Sequence, residues 1–260
     1  MITNAMGGVF PEQSDPTRFH HVLDVGCGPG GWAIEVAKSF PETRIVGIDI
    51  SDEMVQHACT QAQKQHVNQQ VEFRVMDALG PLAFPDTCFD LVNLRYGFSF
   101  IRVWDWANVL SELLRVTSLG GIIRLIEPEF LQESNCPTWR HLNEILLSAL
   151  FRAGHLSTET STGTTAHLAP LLQRYGCLHV QTKLYALEYR GKTEAGEAYY
   201  QDLFHMLQII PPFLKKWGCL PEDYDALCLR ALKEVHHRDF HATLCFQCAW
   251  GTKPPPSTHG

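Results

Sequence analysis

Nowhere does the chain carry an uninterrupted apolar stretch near the roughly 18 to 20 residues that a bilayer-spanning helix needs, so no membrane insertion is expected. Positive charge is also scarce. Lys and Arg number 21 against 28 Asp and Glu, a formal net charge of −7, and no basic run stands out. A nucleic-acid partner is therefore not expected, because polyphosphate affinity needs clustered positive charge. Met1–Phe10 has neither the basic nor the apolar region of a secretory leader. The 9 cysteines are odd in number and lack framework spacing, and they read as reduced thiols in a cytoplasmic protein. Internal repeats are lacking too. What remains is a chain of 260 residues, 45% hydrophobic and 19% charged, which can bury a core as one large domain or a domain with a lid.

Strand and helix signals alternate through the first half. His21–Val25 is an apolar run that ends in a glycine turn, and Gly31–Phe40 carries Ala33, Val36, Ala37 and Phe40 at helical spacing. Arg44–Ile50 reads as a second strand. Ser51 then caps a helix whose first turn holds Asp52 and Glu53, favourable at the positive end of the dipole. Val71, Phe73 and Val75 alternate in a third strand, and Phe89–Asn93 makes a fourth. A helix through Trp106, Leu110 and Leu114 follows, and Gly120-Gly121 turns into a fifth strand, Ile122–Glu127. The second half is mostly helical, with a sixth strand at Val180–Tyr189 and a last one at Thr243–Trp250. Its helices run from Leu142 to Ala153, from Leu168 to Tyr175 with Gly176 as the stop, and from Ala195 to Ile210 up to a break at Pro211-Pro212; Pro221 opens the last. The pattern predicts an α/β fold, a doubly wound and mostly parallel seven-stranded sheet with helices on both faces and a helical lid.

Val22–Gly31 reads VLDVGCGPGG, and its glycines let a ligand approach the backbone closely between a strand and a helix. Two ligands fit this turn. Gly26, Gly28 and Gly31 satisfy a dinucleotide fingerprint, and Asp49 after the second strand is the ribose-binding acid that either reading expects. Asp24 separates them, since a carboxylate two residues before the first glycine suits an amino-acid ammonium group. Asp77, in Met76-Asp77-Ala78 after the third strand, is placed to accept from an adenine amino group.

With Phe89-Asp90-Leu91-Val92-Asn93 and Glu112-Leu113-Leu114-Arg115-Val116 following in order, the chain resembles the class I, seven-stranded S-adenosylmethionine-dependent methyltransferases. Within them it looks most like the small-molecule enzymes of the ubiquinone/menaquinone-biosynthesis type. The resemblance runs from about His21 to Glu129, and thinly over Leu168–Leu178 and Trp250–Pro254; Ser118-Leu119 departs from the family's Lys-Pro. It implies S-adenosyl-L-methionine as cofactor. Gly26, Cys27, Gly28 and Gly30 would pass under the methionine part, Asp24 would hold the ammonium, and Asp49 would accept from both ribose hydroxyls. Ile50 and Met54 would enclose the adenine, with Asp77 and Ala78 at its edge and Asn93 beside the sulfonium. The domains expected are an N-terminal arm (1–20), a cofactor-binding half (21–128), a helical lid insertion (129–165) and a return to the core (166–190). A second lid insertion (191–240), the last strand (241–253) and a disordered tail (254–260) complete the chain.

The acceptor side is rich in aromatics, among them Tyr96, Phe98, Phe100, Trp104, Phe130, Trp139, Tyr199 and Tyr200. Many pack a lid, yet so apolar a cover suits a small hydrophobic acceptor: an aromatic, indole, polyketide or isoprenoid compound of secondary metabolism. Tyr200, His155, His205 and Glu127 are the candidate acid–base residues, and for each histidine a satisfied imidazole is the competing explanation. His237, His241, Cys245 and Cys248 have zinc-like spacing, but Cys245 and Cys248 sit at odd separation on a strand and no metal is expected. Rival readings are a non-methylating cyclisation or rearrangement with the same cofactor, a nicotinamide-dependent oxidoreductase and a non-catalytic binding module. A homo-oligomer stays open.

Overall fold

The computed structural model describes Thr3 and residues 6–129, 133–160 and 162–255. Phe130, parts of the N-terminal arm and most of the expected disordered tail lie outside the described residues. The chain divides into two compact units: one of Met1–Glu127, His167–Lys183 and Cys248–Gly260, the other of Pro128–Ala166 and Leu184–Gln247.

In the first unit β1 (His21–Val25) is central, buried at all but its first residue, and parallel to both β2 (Arg44–Asp49) and β4 (Phe89–Arg95). β3 (Val71–Val75) adds to β2, and β5 (Thr117–Pro128) adds to β4, both parallel. The order β3-β2-β1-β4-β5 therefore reverses between β1 and β4, the switch point beyond which open α/β sheets bind ligands. The ends of β7 (Leu178–Arg190) and β8 (His241–Thr252) that belong to this unit extend the sheet past β5. Helices α1 (Gly31–Ser39), α2 (Asp52–Lys64), α3 (Trp106–Val116) and α5 (Leu168–Arg174) cover it. The α3 face of Val109, Leu110 and Leu113 joins Leu23, Val92, Ile123, Leu168 and Leu172 in one core, as i, i+3, i+4 spacing requires.

The second unit contains α4 (Pro137–Arg152), α6 (Glu194–Ile209), α7 (Pro211–Lys216) and α8 (Tyr224–Val235). Polar groups link them: Trp139 Nε1 donates to Tyr199 Oη at 2.8 Å, Thr138 Oγ1 donates to Glu234 at 2.6 Å, and Tyr224 Oη donates to the Leu207 carbonyl at 2.8 Å. No helix among the described residues is long and apolar enough to cross a membrane.

Three details differ from expectation. An eighth strand, β6 (Glu133–Ser134), pairs antiparallel with Thr243 and Ala242; two residues are too few to carry a periodic signal. Gly120-Gly121 lies inside β5, at a register shift between the Phe89 and Leu91 pairings, instead of preceding the strand. Pro211-Pro212 opens α7, because proline at a first helical turn loses no hydrogen bond that the helix would have made.

Candidate functional site

Gly26, Gly28 and Gly30 all have positive φ (66°, 53° and 79°), so the turn between β1 and α1 is one that residues with a Cβ adopt only with strain. Their surroundings differ. A Cβ on Gly30 would stand 2.5 Å from the Phe73 ring and 2.8 Å from Ala58, whereas one on Gly28 would meet nothing within 4 Å. Gly30 serves packing; Gly28 faces open space, where a ligand can lie against the backbone.

Asp49, the last residue of β2, ties this turn to the next helix. One of its carboxylate oxygens accepts from the Gly28 N–H and the other from the Ser51 N–H, each at 2.9 Å. Cys27 is buried, and burial, with Asp24 and Asp49 near, pushes its thiol well above the ordinary range, so it is no thiolate nucleophile.

Asp24 is 1% exposed. Asn93 Nδ2 donates to its Oδ1 at 2.7 Å, while Oδ2 is buried with no partner. Burial raises its pKa, opposed by Arg95, by the Asn93 hydrogen bond and by Arg124. Asn93 Oδ1 in turn accepts from Arg124 Nη1 at 2.9 Å. Asp24, Asn93 and Arg124 are register partners on β1, β4 and β5, so one row crosses three strands. Two residues beyond Asn93, Arg95 has its Nε buried and unpaired, and its guanidinium is 5.4 Å from the centre of the Trp32 ring.

At the carboxyl ends of β2 and β3, large apolar side chains are left in solvent: Ile50 is 69% exposed, Val75 51%, Leu79 40% and Met54 38%. Asp77 turns the chain there by accepting from the Leu79 N–H at 2.9 Å, and Ala78 is buried. Exposed apolar groups at strand ends make this a candidate ligand surface.

Each acid–base candidate has its own neighbours within its unit. Glu127 is buried in the first unit and both oxygens are taken, Oε1 by the Gly97 N–H at 2.6 Å and Oε2 by the Phe98 N–H at 3.2 Å. Burial pushes its pKa up to about 8 against the pull of those N–H groups, and its evident work is to pin the turn after β4. The other three belong to the second unit with separate neighbours. Tyr200, half-buried, lies against His236 with ring centres 4.9 Å apart; His155 is 6.3 Å from Phe213; His205 is exposed beside Phe204. No group of three or more potential metal ligands occurs among the described residues.

Sequence reasoning passed over Arg95, Arg124 and Glu12. Arg124 left a signal, a charge inside the apolar run Ile122-Ile123-Arg124-Leu125-Ile126. Glu12 left none.

Comparison with known proteins bears on the same segment. Residues 22–121 match the family model for a methyltransferase domain. A demethylmenaquinone methyltransferase of Listeria welshimeri is 32% identical over 123 residues, covering 47% of this chain and 49% of that protein. The chain spans about half the length of the curated relatives it matches. Among solved structures, phosphoethanolamine N-methyltransferase 2 of Haemonchus contortus, in complex with S-adenosyl-L-methionine, aligns with a TM-score of 0.57 at 17% identity, over 97% of this chain and 52% of that one. The [4+2]-cyclase SpnF aligns with a TM-score of 0.56 at 18% identity, over 97% and 91%. These likenesses in structure are likenesses of fold. Residues 22–121, which hold the glycine turn, are thus similar to a methyltransferase domain, and the solved neighbours share the fold of the whole chain.

Proposed function

We propose that the protein transfers a methyl group from S-adenosylmethionine to a small hydrophobic acceptor. The observation that carries this is the buried, unpartnered Oδ2 of Asp24 beside a left-handed glycine turn. A buried carboxylate oxygen left unbonded is costly, and an ammonium group satisfies it. Arg95 supplies the opposite charge next to it, suited to the carboxylate of the same amino acid. The glycine turn lies under that group. Asp49 keeps lone pairs for ribose hydroxyls, Ile50 and Met54 offer apolar faces to the adenine, and Asp77 with Ala78 forms its edge.

Bound there, the cofactor supplies a methyl group already activated on a sulfonium. The chain's task is then to orient and to exclude water. A base is needed only where the acceptor must lose a proton; Tyr200 is the candidate, with His155 and His205 behind it. The acceptor class is supported by the segment after β4, where Trp104 is 62% exposed, Val103 43%, and Tyr96, Phe98 and Phe100 are half-buried. The relative named as a demethylmenaquinone methyltransferase supports it too. An enzyme of secondary metabolism in the cytoplasm fits this chemistry.

A second reading has its own support, because a cyclase shares the fold. Product mass separates the two. Incubation with S-adenosylmethionine and prenylated or plain quinols, phenols and indoles should give a product heavier by one CH2, with S-adenosylhomocysteine formed in equal amount. A product isomeric with its substrate, with the cofactor unconsumed, would favour cyclisation or rearrangement.

A further inference from the structure

Behind the cofactor turn lies an ion pair, Glu12 with Arg124, whose residues flank the matched segment on either side. The side chains of Glu12 and Arg124 are 0% and 1% exposed. Arg124 Nε is 2.7 Å from Glu12 Oε1, and Nη2 donates to Oε2 at 3.2 Å. A two-point contact of this kind sets the plane of the guanidinium. Nη1 then donates to Asn93 Oδ1, which decides which end of the amide faces Arg124 and leaves Nδ2 to donate to Asp24 Oδ1. The chain of bonds ends at the open Oδ2 of Asp24.

Glu12 is delivered by a packed segment. Trp32 Nε1 donates to the Val9 carbonyl at 3.3 Å, and the Phe10 ring lies 5.5 to 5.6 Å from those of Phe19, Trp32 and Phe40. Charge points the same way. Arg95 and Arg124 are balanced by Asp24 and Glu12, and a zwitterionic amino-acid group leaves that balance unchanged. Without Glu12, an uncompensated guanidinium would stay buried two hydrogen bonds from Asp24, the acid assigned to the ammonium.

We propose that Glu12 and Arg124 are positioning residues for the amino-acid end of the cofactor: they orient Asn93 and Asp24 toward the ammonium and cancel a charge that would repel it. The proposal rests on the cofactor reading above. Its test compares two ligands by calorimetry: S-adenosylhomocysteine, and 5′-methylthioadenosine, which keeps the nucleoside and sulfur but lacks the amino acid. Glu12→Gln removes the charge at nearly constant volume. It should weaken S-adenosylhomocysteine about tenfold or more and 5′-methylthioadenosine less than about twofold. Equal losses for both ligands, or none for either, would overturn the proposal. The double variant Glu12→Leu/Arg124→Leu replaces the pair by apolar groups, a change that proteins often tolerate. It covers the case in which the single variant does not fold. It too should bind S-adenosylhomocysteine weakly and selectively so, whereas wild-type affinity would show that the pair serves stability alone. Wild-type protein that binds neither ligand would overturn the cofactor reading instead.

Discussion

The two units differ in which polar residues they bury. In the first, buried polar side chains include the charged Asp24, Arg124 and Glu127; in the second, the described ones are Thr138, Asn143, Thr164 and Thr165, all neutral. Burying a charge is costly unless it is paired and hydrogen-bonded. The first unit meets that cost with a chain of bonds from Glu12 to Asp24 that stops one partner short, at Oδ2. In the second, Trp139 closes on Tyr199, and Thr138 on Glu234. The open end in the first unit is a carboxylate oxygen, the kind of group that a cationic ligand would satisfy; the two pairs in the second unit are complete without one.

Backbone substitutions should break this contrast most sharply. Gly30→Ala forces a left-handed alanine whose Cβ overlaps Phe73 and Ala58, and should cost roughly 2–4 kcal/mol in urea denaturation. Gly28→Ala meets no atom and should cost only the strain, about 1–2 kcal/mol, while weakening cofactor binding. Equal costs at both positions would mean that the turn is not divided between packing and ligand.

Glu127 sharpens the comparison through pH. Its pKa is raised in the folded state, from an ordinary value of 4.5 to about 8. The stability it contributes is therefore fully present below about pH 4.5 and is lost as pH rises through 8. Between pH 5 and 9 the wild type should lose thermal stability that Glu127→Gln does not, on the order of 4 kcal/mol. Asp24, shifted the same way, is present in both proteins and cancels. Parallel curves would show that Glu127 is ionised throughout.

The smallest effects belong to the second unit. Tyr199→Phe leaves the indole N–H of Trp139 without its partner and should cost about 1–2 kcal/mol. Its neighbour in sequence, Tyr200→Phe, should change stability by less than about 0.5 kcal/mol. If Tyr200 holds the acceptor, turnover falls with cofactor affinity unchanged; a wild-type rate returns it to packing against His236.

What could be read from the chain was local. The glycine turn, Asp49 and the Ser51 cap lie within one strand–turn–helix–strand passage, where residue type and spacing act over a few positions. Gly176, at φ 87°, ends α5 for the same reason. What could not be read joins distant segments. Glu12 meets Arg124 across 112 residues, and Glu127 reaches back 30 residues to Gly97. Glu127 as a general base was a reasonable expectation from a strand end, but spacing cannot reveal two backbone N–H groups that engage both its oxygens. Tyr200, His155 and His205 are likewise placed by helix packing that no local pattern encodes.

The central claim is that the turn after β1, with Asp24 and Asp49, holds S-adenosylmethionine. Calorimetric titration of wild type and Asp49→Ala with S-adenosylhomocysteine and with NAD tests it most directly. The wild type should bind S-adenosylhomocysteine and not NAD, and Asp49→Ala should lose at least roughly tenfold in affinity, corresponding to about 1.5–3 kcal/mol for a charge-assisted contact. Unchanged affinity in the variant, or tighter binding of NAD by the wild type, would contradict the account.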